Sequence, residues 1–306
     1  MSLDRRVFLT GLAAACCVPR RAPAAAAASL NLEPLSGGLW RVVGAAANIV
    51  VAEGPGSLLL VDGGAQTDVA ALERLLAQRF AGKSVAAVFN THWHAAHTGF
   101  NAAARKRGAD VIAHENTKLW LSTEVDSRWE GKIYPPQPAN TLPNRTFHYG
   151  PQKFDFGGRT IEYGHLGQAH TDGDIFVRFP DANVIVGGGA VSPESWPIGD
   201  PASNGWLGGI LAATKTLIGR ADAQTKIVPG RGGVVGVDAL TAQADMVYNV
   251  LQRIGEAYFK GQTFDELLAL QPAHDYEARL GDPSQFLRLS WDTAWYHVNE
   301  IRRITR

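Results

Sequence analysis

Three histidines set into a strand-to-helix turn constrain this chain more than any other feature of its sequence. Ser84 to Phe89 is an apolar run of strand length. Asn90-Thr91-His92-Trp93-His94-Ala95-Ala96-His97-Thr98-Gly99-Phe100-Asn101 follows it directly, and the spacing beyond predicts a helix from near Gly99 to Arg107-Gly108. His92 and His94 stand two apart, so in an extended continuation of the strand both imidazoles project to one side, with His97 at the mouth of the helix. Three of the chain's nine histidines fall within this short stretch, a density that points to a ligand set more than to chance placement.

The surrounding pattern says what such a turn is built into. Leu39–Val43, Ile49–Glu53 and Ser57–Val61 read as a meander closed by Asp62-Gly63-Gly64, and Asp68 to Phe80 carries apolar positions at the spacing of an amphipathic helix. Val111-Ile112-Ala113 is the next strand, while residues 115–145 are polar, Pro-rich and resist assignment. Arg159–Tyr163, Ile175–Phe179 and Val184–Val186 return to strands, followed by a helix over Trp206–Ile218, a strand at Lys226–Val228 and a helix from Asp238 to about Phe259. Strands then helices, twice over, suit an α/β chain with helices outside two central sheets, an αββα arrangement. No Pro-, Gly- or Ser-rich linker divides it, so residues 30–306 read as one domain, with a core of about 39–250 and a helical extension over 251–306.

Composition narrows the partners. Lys plus Arg equals Asp plus Glu at 29 each, which removes the electrostatic case for nucleic acid, and no apolar run after the first thirty residues is long enough to span a bilayer. A small-molecule substrate is the partner this leaves. Residues 1–29 resemble a twin-arginine export signal: Arg5-Arg6 precede a short apolar stretch from Gly11 to Val18, and Ala22–Ala28 offers a small-residue cleavage site. Ala13 stands where a lipoprotein signal carries Leu, which argues against lipidation at Cys16-Cys17. Both cysteines of the chain lie here, so a processed protein has no disulfide and no thiolate ligand. Cutting near Ala28 removes four arginines and one aspartate, leaving 25 basic against 28 acidic residues. The expected location is periplasmic, with secretion as the other outcome of such a signal.

The histidine stretch resembles the first metal motif of the metallo-β-lactamase superfamily, His-x-His-x-Asp-His. Three further segments match in order: Val61-Asp62-Gly63-Gly64 looks like the strand end whose Asp braces the motif loop, His170-Thr171-Asp172-Gly173-Asp174 like the turn that supplies the third histidine, and Lys226-Ile227-Val228-Pro229-Gly230 like the strand before the last ligand. The resemblance spans Leu39 to about Val250. It implies a four-layer αββα sandwich of two mixed β-sheets with flanking helices, and a zinc ion held by His92, His94 and His170. Three imidazoles with an open position leave the ion's full charge on the site and lower the pKa of bound water to about 7.

The pattern also breaks. Where the family carries Asp, this chain has Ala96; where a ligand follows the strand Val184–Val186, it has Gly189; where the last histidine follows Pro229-Gly230, it has Arg231. Of the second site only His97 remains, so one zinc ion is expected. Arg231 either stands in for the missing cation, holding an anionic group of the substrate, or pairs with Asp62, Asp172 or Asp174. Asp172, His97, Arg231 and Glu194 are the candidates for positioning water and moving a proton. Two functions follow: a mono-zinc hydrolase attacking an ester, lactone, lactam or thioester carbonyl, or a binding or accessory protein that kept the fold and lost turnover. A di-iron redox protein would need a carboxylate at Ala96 and a bridging one, and both are missing.

Overall fold

A computed structural model describes residues 29–305; all but the last residue of the expected export signal over 1–29, and both cysteines, lie outside the described residues. A seven-stranded sheet is built from β1 (Asn31–Pro34), β2 (Leu39–Val43), β3 (Ile49–Glu53), β4 (Ser57–Val61), β5 (Ser84–Phe89) and β6 (Asp110–His114), with α1 (Val69–Arg79) between β4 and β5. Two short helices, α2 (Ala95–Thr98) and α3 (Asn101–Lys106), join β5 to β6. The stretch that resisted assignment forms α4 (Glu115–Ser122), a small hairpin of β7 (Val125–Ser127) and β8 (Lys132–Tyr134), and β9 (Arg145–Phe147), which closes the sheet in the order β1-β2-β3-β4-β5-β6-β9. β1 to β4 pair antiparallel, and β4, β5, β6 and β9 pair parallel.

The second sheet follows in chain order. It holds β10 (Gln152–Phe156), β11 (Arg159–His165), β12 (Ile175–Phe179), β13 (Val184–Gly188) and, after α5 (Leu207–Ile218), β14 (Lys226–Pro229). Only the β13–β14 pair is parallel. Then α6 (Val237–Phe259), α7 (Phe264–Ala269), α8 (His274–Leu280), α9 (Ser284–Ala294) and α10 (Val298–Ile304) complete the chain. α6 runs unbroken across residue 250. No helix among the described residues is long and apolar enough to cross a membrane.

Alternation along the strands makes the four layers. In β4, Leu59 and Val61 face the other sheet, where Ile161, Ile175, Val177, Phe179, Val184 and Val186 meet them, while Leu58 and Leu60 face Leu72 and Leu76 of α1. In β13, Ile185 turns outward to Leu211 and Leu217 of α5 and Val247 of α6. Each such fully buried aliphatic side chain contributes about 1.5–3 kcal/mol, and a one-residue slip of β4 would move its whole set to the wrong layer. The αββα sandwich of two mixed sheets is therefore the fold.

Two local differences from the sequence reading bear on the site. The helix predicted from Gly99 begins four residues earlier as α2 and is interrupted, because the Gly99 N–H donates to Gly64 O at 2.8 Å instead of continuing the helical ladder. The backbone after Phe89 is not extended strand. The Asn90–His94 loop is clamped instead: the buried side chains of Asn90 and Asn101 exchange hydrogen bonds of 3.0 and 2.8 Å, tying its start to the first residue of α3.

Candidate metal centre

The hydrogen bonds around the three histidines fix which nitrogen of each is bare. Asp62 sits at φ 63°, a left-handed backbone that Asp tolerates better than most residues, and its Oδ1 accepts from the Thr91 N–H at 2.8 Å. Its Oδ2 accepts from the Thr91 hydroxyl at 2.8 Å, which spends that hydroxyl's one proton; Thr91 Oγ1 must then accept from His92 Nδ1, 3.0 Å away. His170 Nδ1 donates to the Ile198 carbonyl at 2.6 Å, and His94 Nε2 to Asp200 Oδ2 at 3.2 Å. His92 Nε2, His94 Nδ1 and His170 Nε2 are left with lone pairs and no proton.

These nitrogens converge. The three ring centroids lie 4.8–4.9 Å apart, and His92, His94 and His170 form a group whose ligating atoms all fall within 4.8 Å of one another, the one such set of three or more among the described residues. His94 Nδ1 and His170 Nε2 face each other at 2.9 Å. Two lone pairs at that distance repel unless a proton or a cation lies against them. The donor set thus fits a metal ion, and each ligand carries the outer hydrogen bond that orients metal-binding imidazoles.

Burial decides the charge state. His92 is 1% exposed, and burial followed by the proximity of His97 and His170 holds its pKa well below the usual histidine range. Burial likewise brings His94 to about 4, with the Asp200 hydrogen bond opposing only in part. Burial alone would raise Asp200, but hydrogen bonds from His94, Ser203 and Trp129 outweigh it and hold the carboxyl at about 2. At neutral pH His92 and His94 are therefore neutral imidazoles, the second backed by the buried carboxylate of Asp200.

Ligands expected for a second metal are missing from this place. Ala96 offers no ligand, and a Cβ at Gly189 would stand 2.3 Å from His170 Cδ2, so the imidazole of His170 already fills the space a side chain there would need. His97 stands beside the set without joining it: its ring centroid is 4.1 Å from that of His92, and its Nδ1 donates to Asp62 Oδ2 at 2.8 Å. Arg231 corrects one expectation, since no carboxylate among the described residues pairs with it. Asp62 is held by Thr91 and His97, Asp172 by Trp120 and Asn204, and Asp174 by His170 N and Thr171. Arg231 is exposed, donates through Nε to Ala46 O at 3.2 Å, and lines a cavity of about 680 Å³ with His92, His94, His97 and His170.

Of the other candidates, Glu194 lines that cavity, with Oε1 accepting from the Gly233 N–H at 3.2 Å. Asp172 does not: the Trp120 indole donates to one of its oxygens at 2.6 Å and the Asn204 amide to the other at 2.8 Å, so it fastens α4 and the 200–206 loop to the His170 turn. Asp200 was missed. It lies 106 residues from His94, and the sequence Asp200-Pro201-Ala202-Ser203 signals only a turn cap, which it also is, accepting from Ala202 N at 3.0 Å.

An αββα sandwich with three inward histidines at its strand ends is the class of protein this defines. A profile of the metallo-beta-lactamase superfamily matches residues 42–243, and the chain belongs to that superfamily. Solved structures agree in fold. A metallo-beta-lactamase from Pontibacter korlensis superposes with a TM-score of 0.58 at 19% identity, covering 72% of this chain and 99% of that one. The DIM-1 metallo-beta-lactamase gives 0.58 at 17% identity over 72% of this chain and 97% of its own, and the same enzyme exposed to ceftazidime gives 0.58 at 17% over 73% and 98%. At these identities the likeness speaks for fold alone.

Proposed function

We propose that the chain is an exported mono-zinc hydrolase that cleaves an ester, lactone, lactam or thioester bond of a small molecule. The observation that carries this reading is the convergence of three bare imidazole nitrogens, with Ala96 and Gly189 offering no side-chain ligand for a second ion and His170 crowding any Cβ at Gly189. His92 Nε2, His94 Nδ1 and His170 Nε2 would hold the ion. When bound, zinc supplies Lewis acidity toward a carbonyl and a water of lowered pKa.

The chain's own residues do the rest. Asp200, Ile198 O and Thr91 keep the three imidazoles in the tautomer that leaves the inward nitrogens free. His97 lines the cavity with Nδ1–H fixed on Asp62, which leaves Nε2 as its basic nitrogen and makes it the proton carrier of choice. Arg231 brings a permanent positive charge to the same cavity, with no carboxylate among the described residues in an ion pair with it, so it orients an anionic substrate group or a developing oxyanion. Twin-arginine export, which moves folded chains, suits a protein loaded with its metal before it leaves the cytoplasm.

The test is a panel of simple esters, thioesters, lactones and β-lactams assayed with parent protein and His94→Ala. Chelator-sensitive hydrolysis of at least one class, lost in His94→Ala, is expected. No such rate on any class, with metal still bound, would favour the accessory-protein reading, for which the missing second-site ligands are the argument.

A further inference from the structure

A second cavity adjoins the first. It measures about 530 Å³, within the size range of small-molecule sites, and its lining is largely apolar, with Trp93, Trp120, Leu121 and Pro138 among the contributors. Ala95, Ala96 and Tyr134 line both cavities and form the wall between them. Ala96 is the position where the sequence pattern leads one to expect an aspartate. A carboxylate there would place a charge at the mouth of an apolar space, and any hydrocarbon passing it would have to strip that charge of water; a methyl group imposes no such cost.

Trp93 lines the second cavity beside this wall. It sits between two of the metal-facing histidines in sequence, is 2% exposed, and packs its ring against His94 at 4.5 Å and edge-on to Tyr134 at 5.2 Å. Its indole N–H is buried with no acceptor. The histidine cavity, by contrast, presents imidazoles, Arg231, Lys132 and Glu194. The polar and the apolar requirement of a substrate are thus divided between neighbouring spaces.

We propose that the second cavity is the subsite for a hydrocarbon group attached to the substrate's reacting carbonyl, so that the preferred substrates are acyl compounds with an apolar chain that crosses Ala96 into the space beside Trp93. This rests on the hydrolase reading for the position of the carbonyl. The loss of the acidic ligand and the gain of an apolar passage are then one change with two consequences.

The test uses binding, so turnover does not enter. Straight-chain carboxylates from acetate to decanoate are titrated into the purified protein by calorimetry, with tryptophan emission followed in parallel. Affinity rising about fourfold per methylene, until the cavity is filled, is expected. Ala102→Phe places a ring into the second cavity from an exposed position of α3 that does not line the histidine cavity. It should flatten the series, and Ala102→Leu should end the rise at a shorter chain, with melting curves checking that both variants fold. A parent series that is flat or undetectable overturns the proposal, as does a rise that Ala102→Phe leaves intact. A steep series in a protein that cleaves no carbonyl substrate would keep the subsite and discard the hydrolase; hydrolysis with a flat series would do the reverse.

Discussion

Asp200→Asn probes the centre without removing any of its three imidazoles. The buried carboxylate accepts four hydrogen bonds, two on each oxygen: Trp129 Nε1 at 2.7 Å and Ala202 N at 3.0 Å on Oδ1, Ser203 Oγ at 2.5 Å and His94 Nε2 at 3.2 Å on Oδ2. Asparagine keeps the shape but turns one oxygen into a donor. The indole and the backbone N–H cannot become acceptors, so the amide nitrogen must occupy the Oδ2 side, where Ser203 can rotate and His94 can change tautomer. That change moves the imidazole proton to Nδ1, the nitrogen that faces the metal. Zinc affinity should then fall 10–100-fold, about 1.4–2.8 kcal/mol. The metal-free variant should be nearly as stable as the parent, within about 1 kcal/mol, because a proton on His94 Nδ1 now bridges to His170 Nε2 at 2.9 Å and relieves the opposed lone pairs. Competition with a chromophoric chelator measures the first quantity and melting in excess chelator the second. Zinc affinity within about threefold of the parent in a folded variant would refute the tautomer argument; a metal-free variant that is strongly destabilised would show that Asp200 serves packing instead.

Three further outcomes are expected. Gly189→Asp adds a carboxylate of the type the family uses, yet its Cβ must displace the His170 ring that lies 2.3 Å from it, so metal binding should weaken and stability fall by about 1–3 kcal/mol; tighter binding or a second equivalent of metal would contradict this crowding argument. Arg231→Ala should leave stability within about 0.5 kcal/mol of the parent while raising KM for substrates bearing a carboxylate, with neutral analogues as the control. His114, stacked on His165 at 3.8 Å and buried, has its pKa lowered by burial to about 4 from an ordinary 6.5. Because the folded value lies below the unfolded one, its contribution is present above pH 6.5 and is lost as pH falls toward 4, up to about 3 kcal/mol. His114→Gln should make the stability profile shallower in that window, where His94 still contributes, and an unchanged slope would remove the assignment.

What could be read from the sequence followed the range over which each signal acts. The β-meander and the helices expected over 206–218 and from 238 to about 259 are set by neighbours a few residues apart and were legible, whereas the facing of Leu58, Leu59, Leu60 and Val61 was not, since all four are apolar. His92, His94 and His170 were legible because a dense ligand motif and an ordered set of flanking turns carried them. The 115–145 segment was not, since its short strands β7, β8 and β9 are shaped by partners elsewhere in the sandwich more than by any period of their own. Asp200 was illegible for the same reason: its local pattern announces a turn, and only the fold brings it to His94. Arg231 went the other way. A charge beside three aspartates in the motif map suggested an ion pair, but those aspartates are spent on Thr91, Asn204, Trp120, Thr171 and backbone donors, so the guanidinium is left to the cavity.

The account stands on one ion per chain at three imidazoles. Elemental analysis of protein purified without added metal, set beside His170→Ala prepared identically, tests it most directly. One equivalent of zinc per polypeptide in the parent and close to none in the variant is the predicted result; two equivalents in the parent, or metal retained undiminished without His170, would contradict it.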